Sequence, residues 1–236
     1  MKALGIDVSR WQPIIDWKKV VDSGVSFVFI KLSQADMVDP LFLSHWQRAR
    51  EVGLLRGAYH YFSPASRWGS AATIFSNALL EDPGELPPVL DIEITGGLVN
   101  RELVRGIDAW LWLVRAQQRR APMIYTGPGF WNSTVITGLK VPLYVDGFNT
   151  YDLWEAQYPY ATDNPNAKIP YPPLPERAVI ESFNKQIPLK GCLPWKFWQY
   201  TGRGKVDGIP GNVDMNIFNG TEDELKMFAI ASLAGK

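Results

Sequence analysis

Asp91 and Glu93 stand two residues apart at the end of an apolar run, Val89-Leu90-Asp91-Ile92-Glu93. In an extended strand the side-chain period is two, so both carboxyls share one face, about 6 to 7 Å apart along the backbone. Asp7 ends a comparable run near the start of the chain, with Ser9 on the same face, and Asp214 lies in a short run near the other end. Carboxyls gathered in one place repel, so at least one is held protonated near neutrality beside ionised neighbours. A proton donor beside negative charge is what cleavage of a glycosidic bond needs. The donor protonates the leaving oxygen, and the charge steadies an oxocarbenium-like transition state. A plainer reading makes these acids helix caps or surface ion-pair partners. A divalent-cation site is a third, disfavoured because no histidine or phosphate-binding loop accompanies them.

Other chemistries lack their residues. There is no G-x-S-x-G elbow, no Walker loop and no strand-linked G-x-G-x-x-G. Gly127-Pro128-Gly129 lacks the third glycine and a following helix, and reads as a turn. A single cysteine, Cys192, can form neither an internal disulfide nor a cysteine-rich zinc site. His45 and His60 stand alone and read as packing or hydrogen-bonding residues, so no metal and no cofactor is expected. Lys and Arg number 24 against 24 Asp and Glu, which leaves no electrostatic footprint for nucleic acid or an anionic membrane. No apolar stretch approaches the roughly 18 residues of a membrane span. The opening Met1-Lys2-Ala3-Leu4-Gly5-Ile6-Asp7 reaches an acid too soon for a signal peptide.

The elements that must position the four acids follow from the hydrophobic rhythm. With 236 residues, 46% hydrophobic and 13% aromatic, the chain suits one large barrel or α/β domain. Strands are expected at Ala3 to Ser9, Phe27 to Ser33, Leu55 to Ser63, Pro88 to Ile94 and Pro122 to Gly127. Helices alternate with them at Trp17 to Ser23, Phe42 to Val52, Ala71 to Leu80 and Arg101 to Arg120. Such alternation implies right-handed crossovers and a mainly parallel sheet. After Gly127 the helical rhythm stops. Strands are expected at Leu143 to Gly147, Lys196 to Tyr200 and Val213 to Ile217, with a closing helix at Glu222 to Leu233. An α/β start that finishes in strands suggests a barrel whose last helices are lost. Strand C-terminal ends form the mouth of such a barrel, and closure joins its first and last strands. Asp7, Asp91, Glu93 and Asp214 therefore converge. The Pro-rich stretch at 159–194 reads as an ordered excursion of the same domain, strand-like at Ala178 to Phe183.

Trp11, Tyr59, Tyr61, Phe62, Tyr125, Trp131, Tyr144, Phe148, Trp154, Trp198 and Tyr200 mostly fall at or just beyond expected strand ends, where flat rings could stack on sugars. Most of the other aromatics read as core, Trp110 and Trp112 of the long helix included. Tyr125 and Tyr61 are the first choices for residues outside the core.

An ordered set of blocks resembles glycoside hydrolase family 25, the Chalaropsis-type lysozymes. These are Gly5-Ile6-Asp7-Val8-Ser9-Arg10-Trp11-Gln12, Phe27-Val28-Phe29-Ile30-Lys31, Gly57-Ala58-Tyr59-His60-Tyr61 and Val89-Leu90-Asp91-Ile92-Glu93. Ile124-Tyr125-Thr126, Leu153-Trp154-Glu155-Ala156, Trp198-Gln199-Tyr200-Thr201 and Val213-Asp214-Met215-Asn216 continue it, from residue 5 to about 220. The resemblance implies an α/β fold, a flattened TIM-like (β/α)5(β)3 barrel forming a single catalytic domain over residues 1–236. It implies a monomeric N-acetylmuramidase that cleaves the β-1,4 bond from N-acetylmuramic acid to N-acetylglucosamine in peptidoglycan. Glu93 would be the general acid and Asp91 its ionised neighbour, with Asp7 and Asp214 completing the cluster. Configuration would be retained with the substrate's 2-acetamido group as nucleophile, Asp91 orienting that group and Tyr125 hydrogen-bonding near the reacting centre. Ser9, Trp11, Tyr59, Tyr61, Trp198 and Tyr200 would bind the glycan. Release from a phage-infected cell is the expected route to the wall, and no wall-binding module is expected. Two departures stand out. Leu32-Ser33-Gln34-Ala35-Asp36 follows Lys31 where the family has a segment with an acid and a glycine, and Tyr160 to Pro194 is long. The alternatives are a non-catalytic peptidoglycan-binding protein of a phage particle and a chitinase-like enzyme.

Overall fold

The apolar runs with a two-residue period become strands, and eight of those strands close on themselves. The computed structural model describes residues 2–64, 66–98, 100–136, 148–158, 180–181 and 193–234. Its strands are β1 (Lys2–Val8), β2 (Val25–Gln34), β3 (Met37–Val38), β4 (Leu55–Tyr61), β5 (Val89–Asp91), β6 (Met123–Thr126), β7 (Leu153–Ala156), β8 (Trp195–Gly204) and β9 (Val213–Thr221). The order around the barrel is β1-β9-β8-β7-β6-β5-β4-β2, closed by β1–β2 pairing, and β3 hangs on β2 as a short hairpin. Every neighbouring pair from β1–β2 round to β7–β8 is parallel, whereas β9 runs antiparallel to both β8 and β1. This is the expected TIM-like barrel of five β/α units and three further strands.

Helices α1 (Trp17–Asp22), α2 (Phe42–Glu51), α3 (Trp68–Ala78) and α4 (Asn100–Gln118) cover the parallel strands, and α6 (Glu222–Leu233) follows β9. Asp16 caps α1 by accepting from Lys19 N at 3.2 Å, and Thr221 with Glu224 forms a capping box on α6. Alternate residues then sort into two cores. Outward side chains such as Ile6, Val28, Ile30, Leu90 and Ile124 pack against the helices, Trp110 of α4 among them. Inward side chains fill the barrel: Phe29 stacks on Trp154 at 4.3 Å between ring centroids, and Phe197 meets Phe27 and Phe29 edge-on, each at 5.1 Å. Gly5 and Gly57 make room for these rings. A Cβ at Gly5 would lie 2.2 Å from the Phe27 ring, and one at Gly57 2.4 Å from the Phe29 ring.

Several boundaries differ from expectation. The strand expected at Pro88 to Ile94 is only Val89–Asp91. Ile92 is still held, its N–H donating to Tyr125 O at 2.9 Å and its carbonyl accepting from Thr126 Oγ1 at 2.8 Å. The turn read at Gly127 to Gly129 instead opens a helix, α5 (Pro128–Phe130), which runs on as a π-helix over Trp131–Ile136. Pro128 suits a first helical position because its fixed φ is helical and its missing N–H is not needed there. The strand expected at Leu143 to Gly147 lies outside the described residues. Of Ala178 to Phe183, Ile180 and Glu181 are described, and they are helical. Almost all of the 159–194 excursion lies outside the described residues. Trp112 is 66% exposed although Trp110 is fully buried. Two residues span about 200° around a helix, so the pair cannot both face the barrel.

Candidate active site

Three strands and one loop deliver the four acids to one cavity. Asp7 lies at the C-terminal end of β1, and Asp91 ends β5. Ile92 is buried in the outer core, which leaves Asp91 and Glu93 to face the cavity on either side of it. Asp214 comes from the start of β9. Because β9 is antiparallel, its N-terminal end meets the C-terminal end of β1, and Asp214 is the register partner of Asp7. All four carboxyls line a cavity of about 290 Å³ together with Ser9, Trp11, Gln12, Lys31, Tyr59, Tyr61, Tyr125, Trp154, Tyr158 and Gln199.

A hydrogen-bond network fixes the floor. Asp7 Oδ2 accepts from Gln199 Nε2 at 2.9 Å and from Asn216 Nδ2 at 2.8 Å. Gln199 Oε1 in turn accepts from the hydroxyls of Tyr125 at 2.8 Å and Tyr158 at 2.7 Å, and Asn216 Oδ1 accepts from Trp154 Nε1 at 2.8 Å. Both amides are thereby locked in one orientation with their donors on Asp7. Asp91 has no such support: among the described residues its Oδ1 is buried without a hydrogen-bond partner.

Burial and mutual repulsion hold the acids above the usual carboxylate range. Asp7 is pushed well up by burial and then by Asp214, against the pull of its two amide donors. Asp91 is pushed well up by burial and by Glu93, and Lys31 opposes the shift. Burial also raises Glu93, which Lys31 and the Tyr125 hydroxyl pull back. Asp214 is raised to about 6 by burial and the Glu93 charge. Burial and then the surrounding carboxylates raise Tyr59 and Tyr125, so both stay phenols that can donate. The cavity thus keeps protons near neutrality beside groups that can carry charge.

Of the expected glycan-binding residues, Trp11, Ser9, Tyr59, Tyr61 and Tyr125 line this cavity. Trp11 is 74% exposed, with the Arg10 guanidinium 5.0 Å from its ring centroid, and Ser9 Oγ accepts from Trp11 N at 3.3 Å to shape the turn. Trp198 and Tyr200 are corrected. They are 0% and 1% exposed in the outer core, and Trp198 Nε1 donates to Gln157 O at 2.7 Å. Their strand runs on to Gly204, so they lie within it, and their parity is opposite to that of inward Phe197 and Gln199. His60 stacks on Trp110 at 5.4 Å and pairs through Nδ1 with Ser33 Oγ, a packing role as expected.

Sequence reasoning counted Trp154 among the strand-end rings that could stack on sugars, and it lines the cavity, but gave no role to Lys31, Gln199 or Asn216. Period-two counting could have found these three: Lys31 follows Phe27 and Phe29, Gln199 follows Phe197, and Asn216 follows Asp214. Tyr158 lies past the end of β7, where no period points to it.

The family model described as Glycosyl hydrolases family 25 matches residues 6–209. The chain belongs to glycosyl hydrolase family 25. This family 25 enzyme is a glycosidase. The uncharacterized protein YegX of Escherichia coli (strain K12) is 39% identical over 230 residues, covering 95% of this chain and 72% of that one. Lysozyme M1 of Streptomyces globisporus is 30% identical over 95% of this chain and 70% of its own. The crystal structure of the bacterial lysozyme from Streptomyces coelicolor superposes with a TM-score of 0.77 at 27% identity, covering 98% of this chain and 99% of that one. Among the described residues, no group of three or more His, Cys, Asp and Glu is placed to hold a metal ion, and no helix is long and apolar enough to cross a membrane.

Proposed function

We propose that this family 25 glycosidase is an N-acetylmuramidase, hydrolysing the β-1,4 bond from N-acetylmuramic acid to N-acetylglucosamine in bacterial peptidoglycan. The observation that carries the proposal is the convergence of Asp7, Asp91, Glu93 and Asp214 on one aromatic-walled cavity. The lysozyme and N,O-diacetylmuramidase names of its relatives support it.

Glu93 suits the general acid. It is the exposed member of the four, sits past the strand end where a leaving oxygen can reach it, and is raised toward neutrality. In the proposed first step its proton passes to the glycosidic oxygen as the C1–O bond breaks. The carbonyl oxygen of the substrate's 2-acetamido group then forms a bond to C1. Asp91 orients that group and balances the positive charge growing on it. In the second step water attacks C1 from the face the leaving group vacated, Glu93 takes the water's proton, and the acetamido bond opens with configuration retained. Asp7, immobilised by two amides, fixes the floor against which the sugar sits, and Trp11 and Tyr61 offer rings to its apolar faces.

The test is release of reducing ends from purified peptidoglycan, with mass spectrometry to show that muramic acid carries the new end. Glu93→Gln should lower turnover at least ~100-fold. Products ending in glucosamine would transfer the reading to a chitinase-like enzyme, and retained turnover in Glu93→Gln would remove the general-acid assignment. A non-catalytic wall-binding protein, the other class of function, would leave peptidoglycan uncut, and the four intact acids argue against it.

A further inference from the structure

The mechanism above asks two adjacent carboxyls to hold opposite states, Glu93 protonated and Asp91 ionised, and burial works against the second. Asp91 is only 6% exposed, and its Oδ1 has no hydrogen-bond donor among the described residues. An ionised carboxylate in that position needs charge compensation from elsewhere. Among the described residues lining the cavity, one is a cation: Lys31.

The strand carrying Lys31 is built to aim it. In a regular strand, residues three apart point to opposite faces. The β2–β4 register shifts between Lys31 and Ser33, so Lys31 pairs with Tyr59 while Gln34 pairs with Tyr61. This bulge returns Gln34 to the face of Lys31, a device that re-aims side chains beside active sites. Lys31 Nζ donates to Gln34 Oε1 at 2.8 Å and rests over the Tyr61 ring, 4.7 Å from its centroid. Tyr61 is in turn the register partner of Asp91, so the ammonium is held over the strand that separates β2 from β5. Both contacts are with neutral groups, and neither cancels the charge. The charged groups facing Lys31 are Asp91 and Glu93 from the β5 end, Asp39 from the segment after β3, and Arg10 from the loop after β1. Asp39 is already engaged, accepting from Arg10 N at 3.2 Å through Oδ2 and from Leu41 N at 3.0 Å through Oδ1.

We infer that Lys31 is a positioning residue for the reaction. Its ammonium, steadied by Gln34 and the Tyr61 ring, keeps Asp91 ionised beside a protonated Glu93 and so sets the acid limb of activity. The Lys31 charge pulls both carboxyls down. Removing it lets Asp91 keep its proton at a pH where the reaction needs it ionised.

The inference rests on the muramidase reading, and its test separates the two. Reducing-end release from peptidoglycan is measured against pH for the unmodified chain, Lys31→Met, Lys31→Arg and Gln34→Glu. Lys31→Met should move the acid limb of kcat upward by about one pH unit or more, a tenfold loss on that limb, and Lys31→Arg should restore it. Gln34→Glu gives the ammonium a competing anion and should move the limb the same way by less. It also decides the matter if Lys31→Met does not fold. A Lys31→Met profile that keeps its acid limb and changes only in height or in KM overturns the inference. The same carboxyls can be followed by carbon-13 NMR titration without substrate, so absence of turnover would remove the muramidase reading alone. In that titration, Asp91 should ionise at higher pH in Lys31→Met, and an unchanged Asp91 would overturn the inference.

Discussion

Asp214→Asn should make the protein more stable at alkaline pH while impairing its site. Asp214 faces Asp7 across the β1–β9 ladder, and burial followed by the Glu93 charge raises its carboxyl from 3.8 to about 6. The folded state therefore binds more protons than the unfolded chain between those values. Stability from this group is full below the unfolded value, falls as pH rises through 3.8 to about 6, and is flat above. A shift of that size corresponds to at most ~3 kcal/mol, less whatever solvent screening the partly exposed carboxyl retains. Asparagine has nearly the same shape and does not titrate. Relative to the unmodified chain, Asp214→Asn should therefore gain up to ~3 kcal/mol between pH 4 and pH 8. Asp7 moves in the same sense, since part of its own upward shift comes from Asp214. Urea unfolding of both proteins at pH 4, 6 and 8 measures the gain, provided the m-values agree. A stability difference that is the same at pH 4 and pH 8 would refute the electrostatic reasoning. Reducing-end release should fall at least ~10-fold in the same variant, the usual exchange of function for stability at a strained site.

Four further outcomes follow from packing, exposure and backbone conformation. Gly5→Ala drives a methyl to 2.2 Å from the Phe27 ring inside the barrel, and should cost about 1–3 kcal/mol in urea unfolding. Trp11→Ala should raise KM for peptidoglycan with little change in stability, because the ring is 74% exposed. Trp198→Ala, at 0% exposure, should instead cost about 3–5 kcal/mol of stability, and the reverse pattern would return Trp198 to the glycan. Ala35 has a left-handed φ of 50°, so Ala35→Gly should stabilise by about 0.5 kcal/mol, the relief of strain exceeding glycine's entropic cost. A lower urea midpoint would show that its methyl packs usefully.

The acids were legible because strand periodicity is a local property. Asp91 and Glu93 share a face by spacing alone, and Asp7 and Asp214 need only the added rule that a barrel joins its first and last strands. Trp198 and Tyr200 differ from expectation because the local apolar pattern ends at Tyr200, whereas β8 continues to Gly204 through shifts of register that no local pattern announces. Inward parity at that level belongs to Gln199, whose value is visible only once Asp7, Tyr125 and Tyr158 surround it. Gln34 shows the same limit: a bulge after Lys31 breaks the period, and Gln34 comes to share a face with Lys31 three residues before it. The helix after β6 was missed because Gly127-Pro128-Gly129 has turn composition, although Pro128 is equally at home in a first helical turn.

The antiparallel β9 carries a consequence for when the enzyme becomes competent. Asp7 and the two residues that complete its surroundings from the far side, Asp214 and Asn216, are joined only through the β1–β9 ladder, at sequence separations of about 200 residues. A chain emerging from the ribosome can assemble its β/α units in order, but Asp7 lacks its second amide donor, Asn216, and its acidic partner, Asp214, until β9 has been made and docked. Closure of the barrel and completion of the site are one event. A chain cut before Val213 lacks half the acidic pair, so catalytic competence doubles as a report that β9 has been made and docked.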